Sequence, residues 1–162
     1  MKKQTIKILI IAIVLTAGFL PVAAQKKMQE VKIYLLKTGA NYESKYPSGL
    51  YMVRRKVDAK SPLRSALEIL TEGATADEAK QNIASSTFGI KLVSVKIKNK
   101  TAYTRFTMSD GAAFPGENAP FIFKEAVEKT ALQFRNVKKV VVCLDGILDF
   151  WSEADTPPKK CK

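Results

Sequence analysis

No histidine occurs anywhere in the 162 residues. That absence removes Ser-His-Asp and Cys-His nucleophile activation, histidine-ligated zinc, and the commonest general base near neutral pH. Cysteine is nearly as scarce: Cys143 and Cys161 are the only two, both far from the N-terminus. Acidic residues are few as well, 15 against 27 lysines and arginines, which leaves a formal net charge of +12. With 8 glycines and 7 prolines, low-complexity and collagen-like compositions are excluded. What is present, 46% hydrophobic and 26% charged residues, suits one ordinary globular domain.

The first 24 residues carry the three-part pattern of a signal peptide. Lys2, Lys3 and Lys7 form the charged n-region, and the apolar run from Ile8 to Leu15 continues through Leu20 until Pro21 breaks it. Val22 and Ala24 supply the small residues of a cleavage site, placing the cut between Ala24 and Gln25. A retained membrane anchor is the alternative, since Ile8 to Ala24 approaches the roughly 20 apolar residues that span a bilayer. Gly18, Pro21 and the small-residue exit favour cleavage, and the lack of a cysteine after Ala24 disfavours a lipid anchor. The expected organisation is a signal peptide over residues 1–24, a folded domain over 25–151, and a basic tail over 152–162 that is flexible unless Cys161 tethers it. The location that follows is periplasmic, cell-wall associated or extracellular.

Export changes the meaning of the remaining charge and of the cysteines. A cationic excess in the cytosol suggests nucleic acid, whereas an exported chain meets anionic lipids, wall polymers or acidic proteins. Dispersed lysine kept for solubility is the plainer reading. In an oxidising compartment Cys143 and Cys161 could pair, a bridge that chain-entropy reasoning credits with about 3 kcal/mol. Two free thiols, with Cys143 as a small hydrophobe in a strand, are the other reading, and both stand.

Alternation over Val31, Ile33 and Leu35 predicts a first strand, and Leu50 to Val57 a second. Between them Thr38 to Gly49 is dense in turn formers and carries Tyr42 and Tyr46. Ser61 as a capping hydroxyl, Pro62 at the first helical position and Gly73 as a stop bound a helix over Pro62 to Glu72. Thr75 to Asn82 is polar and suits a short helical turn. Lys91 to Thr107 predicts a hairpin about Asn99 and Lys100, with Ile97 opposite Ala102, Val95 opposite Thr104 and Val93 opposite Phe106 on the core face. Its other face pairs Lys98 with Thr101, Lys96 with Tyr103 and Ser94 with Arg105.

A second amphipathic helix spans Pro120 to Phe134, with Phe123, Val127, Thr130, Ala131 and Phe134 on its apolar stripe and Glu125 poised to pair with Lys129. Lys138 to Leu144 reads as a central strand buried on both faces, because Val140 to Leu144 is continuously apolar. Asp145 and Gly146 mark a turn, and Ile147 to Trp151 a further edge strand. The expected fold is α+β: two layers, with a mixed sheet of about five strands and two helices packed on one face.

In their order, three sequence blocks resemble the GerMN domain of bacterial sporulation and spore-germination proteins. The first runs from Val53-Arg54-Arg55-Lys56-Val57 through Ser61-Pro62 and Ala66-Leu67-Glu68-Ile69-Leu70 to Gly73-Ala74-Thr75, with Ala74 where the family carries proline. Phe88-Gly89-Ile90-Lys91-Leu92 leads into the hairpin as the second. The third is Thr130-Ala131-Leu132-Gln133-Phe134, then Val137-Lys138-Lys139-Val140 and Asp145-Gly146. In the second hairpin strand Thr104-Arg105-Phe106-Thr107 puts a cation where the family often has an acid. The resemblance implies a non-catalytic envelope module of binding or assembly, without cofactor.

Lys96, Lys98, Tyr103 and Arg105 are the candidate binding residues, a basic and aromatic strand face suited to a polyanion or an acidic partner. Alternating lysine also guards exposed strands against aggregation, so a plain solvated face is the rival reading. Such a face can serve single-stranded nucleic acid, but export takes the chain away from that partner, and an envelope protein or anionic wall polymer is expected instead. The connection Ser109 to Asn118 precedes a helix N-terminus without any phosphate-loop motif. Asp110, Glu117, Asp145 and Asp149 are the carboxylates a glycan hydrolase would draw on, although nothing in their spacing guarantees that two approach within the required 5 to 10 Å or so. Cys143 lacks a histidine partner as a nucleophile. No catalytic residue, metal or cofactor is assigned.

Overall fold

The structure, a computed structural model, describes residues 27–38, 49–85, 87, 89–151, 157 and 159–161. The signal segment 1–24, the stretch carrying Tyr42 and Tyr46, Phe88, and residues 152–156 of the tail lie outside the described residues. In chain order the elements are β1 (Met28–Lys37), β2 (Leu50–Asp58), α1 (Pro62–Glu72), α2 (Ala76–Lys80), β3 (Ile83–Ala84), β4 (Ile90–Lys98), β5 (Thr101–Met108), α3 (Ala119–Leu132) and β6 (Lys139–Leu144).

The α+β class holds, but the single five-stranded sheet does not. The strands form two three-stranded sheets, ordered β2-β1-β3 and β4-β5-β6. Strand β1 is flanked by β2 and β3, and β5 by antiparallel β4 and parallel β6, so each central strand has both edges filled. Helices α1 and α3 touch one another, and each also packs against both sheets, which makes them the shared support of the core. The short α2, held by a Thr75–Glu78 capping box, is the third helix.

Strand β1 buries Val31, Ile33 and Leu35 as its alternation demands, and α3 buries Phe123, Ala126, Val127, Thr130 and Ala131. Phe106 meets Phe123 edge to face at 5.1 Å, joining β5 to α3. The Lys129–Glu125 pair forms at 2.9 Å. Helix α1 keeps its predicted span, yet Ser61 makes no side-chain cap; instead its carbonyl accepts from the Ser65 N–H at 3.0 Å.

Three further expectations are corrected. A bulge between Leu92 and Ser94 places Leu92, not Val93, opposite Phe106, and leaves Val93 54% exposed. Strand β6 is an edge strand; its continuous apolar run arises because Val142 and Leu144 face the core while Cys143 lies buried on the other side. Ile147 to Trp151 forms no strand: Ile147 makes isolated bridges to Leu144 and Lys160, and the rest is turn and coil.

Candidate functional site

The second sheet presents its outer face in rows set by backbone register. Lys96, Tyr103 and Val141 stand side by side across β4, β5 and β6; Ser94, Arg105 and Cys143 form the next row, and Lys98, Thr101 and Lys139 the row beyond. Asn99 and Lys100 close the β4–β5 hairpin with φ of 50° and 58°, the two positive values that a two-residue turn of matching twist requires. The carbonyl of Lys100 then accepts the N–H of Lys138 at 2.7 Å, which fixes where β6 joins the sheet. Below the face, the Thr104 hydroxyl donates to the Val141 carbonyl at 3.0 Å, so this buried polar group is satisfied.

A cavity of about 470 Å³ opens on this face. Lys96, Lys98, Tyr103 and Arg105, the four binding candidates, all line it, together with Val141, Cys143, Leu148, Lys160 and Cys161. The site therefore holds four cations and an aromatic ring that is 45% exposed. No acidic side chain is among the described lining residues, and none of those four cations is paired with a described carboxylate. Cations gathered in a concavity raise the local concentration of anions. The apolar patches of Val141, Leu148 and the cystine let a ligand also shed water from uncharged parts.

Cys143 and Cys161 are joined by a disulfide with their Cα atoms 6.2 Å apart. The tail, expected to be flexible unless Cys161 tethers it, therefore returns to the sheet at residues 159–161. Sequence reasoning missed Leu148 and Lys160 as lining residues for that reason. The signal that could have found them was the cysteine pair itself, because closing it obliges the residue beside Cys161 to sit near the strand carrying Cys143.

The remaining candidates are dispersed. Asp145, at φ 48°, accepts from the Thr107 hydroxyl at 2.7 Å and from the Met108 N–H at 3.3 Å, tying its turn to β5. Asp149 accepts the Lys159 N–H at 2.8 Å. Neither carboxylate, nor Asp110 or Glu117, lines the cavity. Among the described residues no cluster of three or more potential metal ligands occurs.

A second charged constellation is structural. Arg55 of β2 grips Glu78 of α2 through two hydrogen bonds, one of them Nε to Oε1 at 3.1 Å, and also donates to the Gly73 carbonyl at 3.3 Å. Partial burial pushes the Glu78 carboxyl up, but the Thr75 N–H, the Arg55 guanidinium and the Thr75 hydroxyl together outweigh it and hold the carboxyl below its ordinary value. This pair pins α2 to the first sheet, away from the groove.

Among the described residues no helix is long and apolar enough to cross a membrane. None of the curated proteins matches this sequence closely enough to stand as a relative. Solved structures do resemble it. The first GerMN domain of the sporulation protein GerM from Bacillus subtilis aligns with a TM-score of 0.51 at 19% identity, covering 73% of this chain and 84% of that one. The tandem GerMN domains of the same protein align with a TM-score of 0.51 at 20% identity, covering 81% of this chain but 43% of theirs. At such identities the likeness concerns the fold. Independently, residues 32–148 match the Germane family, described as sporulation and spore germination. That match spans most of the sequence and includes both sheets and the helices between them, so this chain belongs to the Germane family.

Proposed function

We propose that this Germane domain is an exported, non-enzymatic binding and assembly module of the bacterial cell envelope, and that it engages an anionic partner through the outer face of its second sheet. The single observation that carries the reading is the groove itself: Lys96, Lys98, Arg105 and Lys160 line it together with Tyr103, and no described lining residue opposes their charge. The N-terminal export pattern supports an envelope location, where anionic polymers and acidic proteins are the abundant partners. Arg105 stands where the family often carries an acid, so the basic face is a property of this chain.

Catalysis by carboxylates draws no support from the placement of Asp145 and Asp149, whose oxygens hold backbone and hydroxyl donors. The test is affinity for purified anionic wall polymer, measured with the unaltered chain and with the Lys96→Glu and Arg105→Glu variants. Each reversal is expected to weaken binding by about tenfold or more at low salt. Unchanged affinity in both variants would remove the reading.

A further inference from the structure

The C-terminal segment forms a wall of the groove. Residues 159–161 run back beside residues 146–149: the Leu148 N–H donates to the Lys159 carbonyl at 2.7 Å and the Cys161 N–H to the Gly146 carbonyl at 2.8 Å. Asp149 accepts the Lys159 N–H, and Ile147 bridges Lys160. Such hydrogen bonds are each worth little net in water, while ordering a chain end costs entropy at every residue. The bond from Cys161 to Cys143 removes much of that cost by confining the segment before it docks. Because Cys143 lies on β6, at the opposite edge of the sheet from the β4 strand of Lys96 and Lys98, the bond holds Lys160 and Cys161 in the groove from the β6 side.

Resting on the reading of the groove as an anion site, we infer that Lys160 is a binding residue delivered by the disulfide, and that the ligand is a linear polymer bearing phosphate on its repeats, bound tightly only by the oxidised chain. The cations are spread rather than focused. Lys96 and Lys98 lie two residues apart on one strand face, about 7 Å by strand geometry, Arg105 lies on the neighbouring strand, and Lys160 lines the same groove from the C-terminal segment bridged to Ile147 beyond β6. That spread suits successive anionic groups along one chain better than a single ion, and the arginine fork suits phosphate.

An acidic peptide fits less well. The groove is entered over the sheet face, and the β5 backbone at its centre already bonds to β4 and β6 on both edges, so a peptide lying across that face would form no backbone ladder with β5. A bilayer surface fits less well again, because these cations line a concavity. Reduction by an external dithiol would transfer two electrons and two protons, break the Sγ–Sγ bond, leave a thiol on each cysteine, and convert the dithiol to its own disulfide.

The experiment is calorimetric titration of the full, oxidised chain with inorganic polyphosphate as probe. It is repeated after dithiol treatment and with the Cys161→Ser, Lys160→Ala and Lys160→Arg variants, with circular dichroism to follow the fold. Lys160→Ala is expected to weaken binding by about tenfold and Lys160→Arg to leave it nearly unchanged. Reduction and Cys161→Ser should lose at least as much as Lys160→Ala. Equal affinity in the oxidised, reduced and Lys160→Ala forms would overturn the inference while leaving the groove as an anion site. No binding of polyphosphate, polyglutamate, free phosphate or anionic vesicles by the oxidised chain would overturn both. Preference for polyglutamate, free phosphate or anionic vesicles over polyphosphate would overturn the ligand class.

Discussion

Gly73 has φ 85° and ψ −152°, a region essentially reserved for glycine, and a Cβ there would lie 2.6 Å from the Cβ and Oγ of Ser85. The close approach matters because the chain beyond Ser85 caps α1: the buried Thr87 hydroxyl reaches the Leu70 and Thr71 carbonyls at 3.2 and 3.3 Å, satisfying groups that a helix end leaves unpaired. Gly73→Ala should therefore cost about 2–4 kcal/mol, strain and displacement of that cap together, read as a fall in the thermal midpoint. At Glu78 the prediction concerns pH. The Thr75 N–H and the Arg55 guanidinium hold its folded-state carboxyl below the ordinary value of 4.5, so these contacts contribute stability above that pH and lose it as pH falls through the depressed value. Glu78→Gln should cost about 1–2 kcal/mol at pH 7 by denaturant unfolding. The gap between the two proteins should close in acid; a gap unchanged at pH 3 would refute the assignment.

At the scale of elements, the β4–β5 hairpin shows how local chemistry can specify structure. Asn99 tolerates a positive φ, but Lys100 adopts φ 58° at a steric cost that glycine would avoid. Lys100→Gly is expected to stabilise the protein by about 0.5–1 kcal/mol, measured as a higher denaturant midpoint at unchanged slope. Register near this turn was legible because alternation and turn chemistry agree there. Farther out the bulge at Val93 breaks the count, and nothing in Leu92-Val93-Ser94 announces an extra residue. Strand β3 has two residues, too few for any periodicity, so the second partner of β1 was invisible before the fold was known. For β6 the apolar run was real but its cause was not readable: covering by a remote cystine and burial within a sheet leave the same signature.

For the whole molecule, charge and the cross-link are the governing terms. Anionic ligand binding to a groove of exposed cations should weaken as salt rises, since the screening length shortens from about 10 Å at 0.1 M to about 3 Å at 1 M. Affinity that is flat across that range would argue against the charge mechanism. Loss of the Cys143–Cys161 bond, which spans 18 positions, should cost about 3 kcal/mol if its effect is confinement of the unfolded chain. Comparing oxidised protein with Cys161→Ser by denaturant unfolding measures it. The sequence by itself determined the helix over Pro62–Glu72, a second helix read over Pro120 to Phe134 and found at Ala119–Leu132, the core face of β1, the hairpin turn and the family, because each rests on a short-range pattern of side chains. Only the tertiary structure decided that the strands divide into two sheets and that the tail, through one covalent bond, meets Lys96, Lys98, Tyr103 and Arg105 across a groove. Strand partnership between distant segments depends on which edges are already filled, and that is a property of the assembled fold.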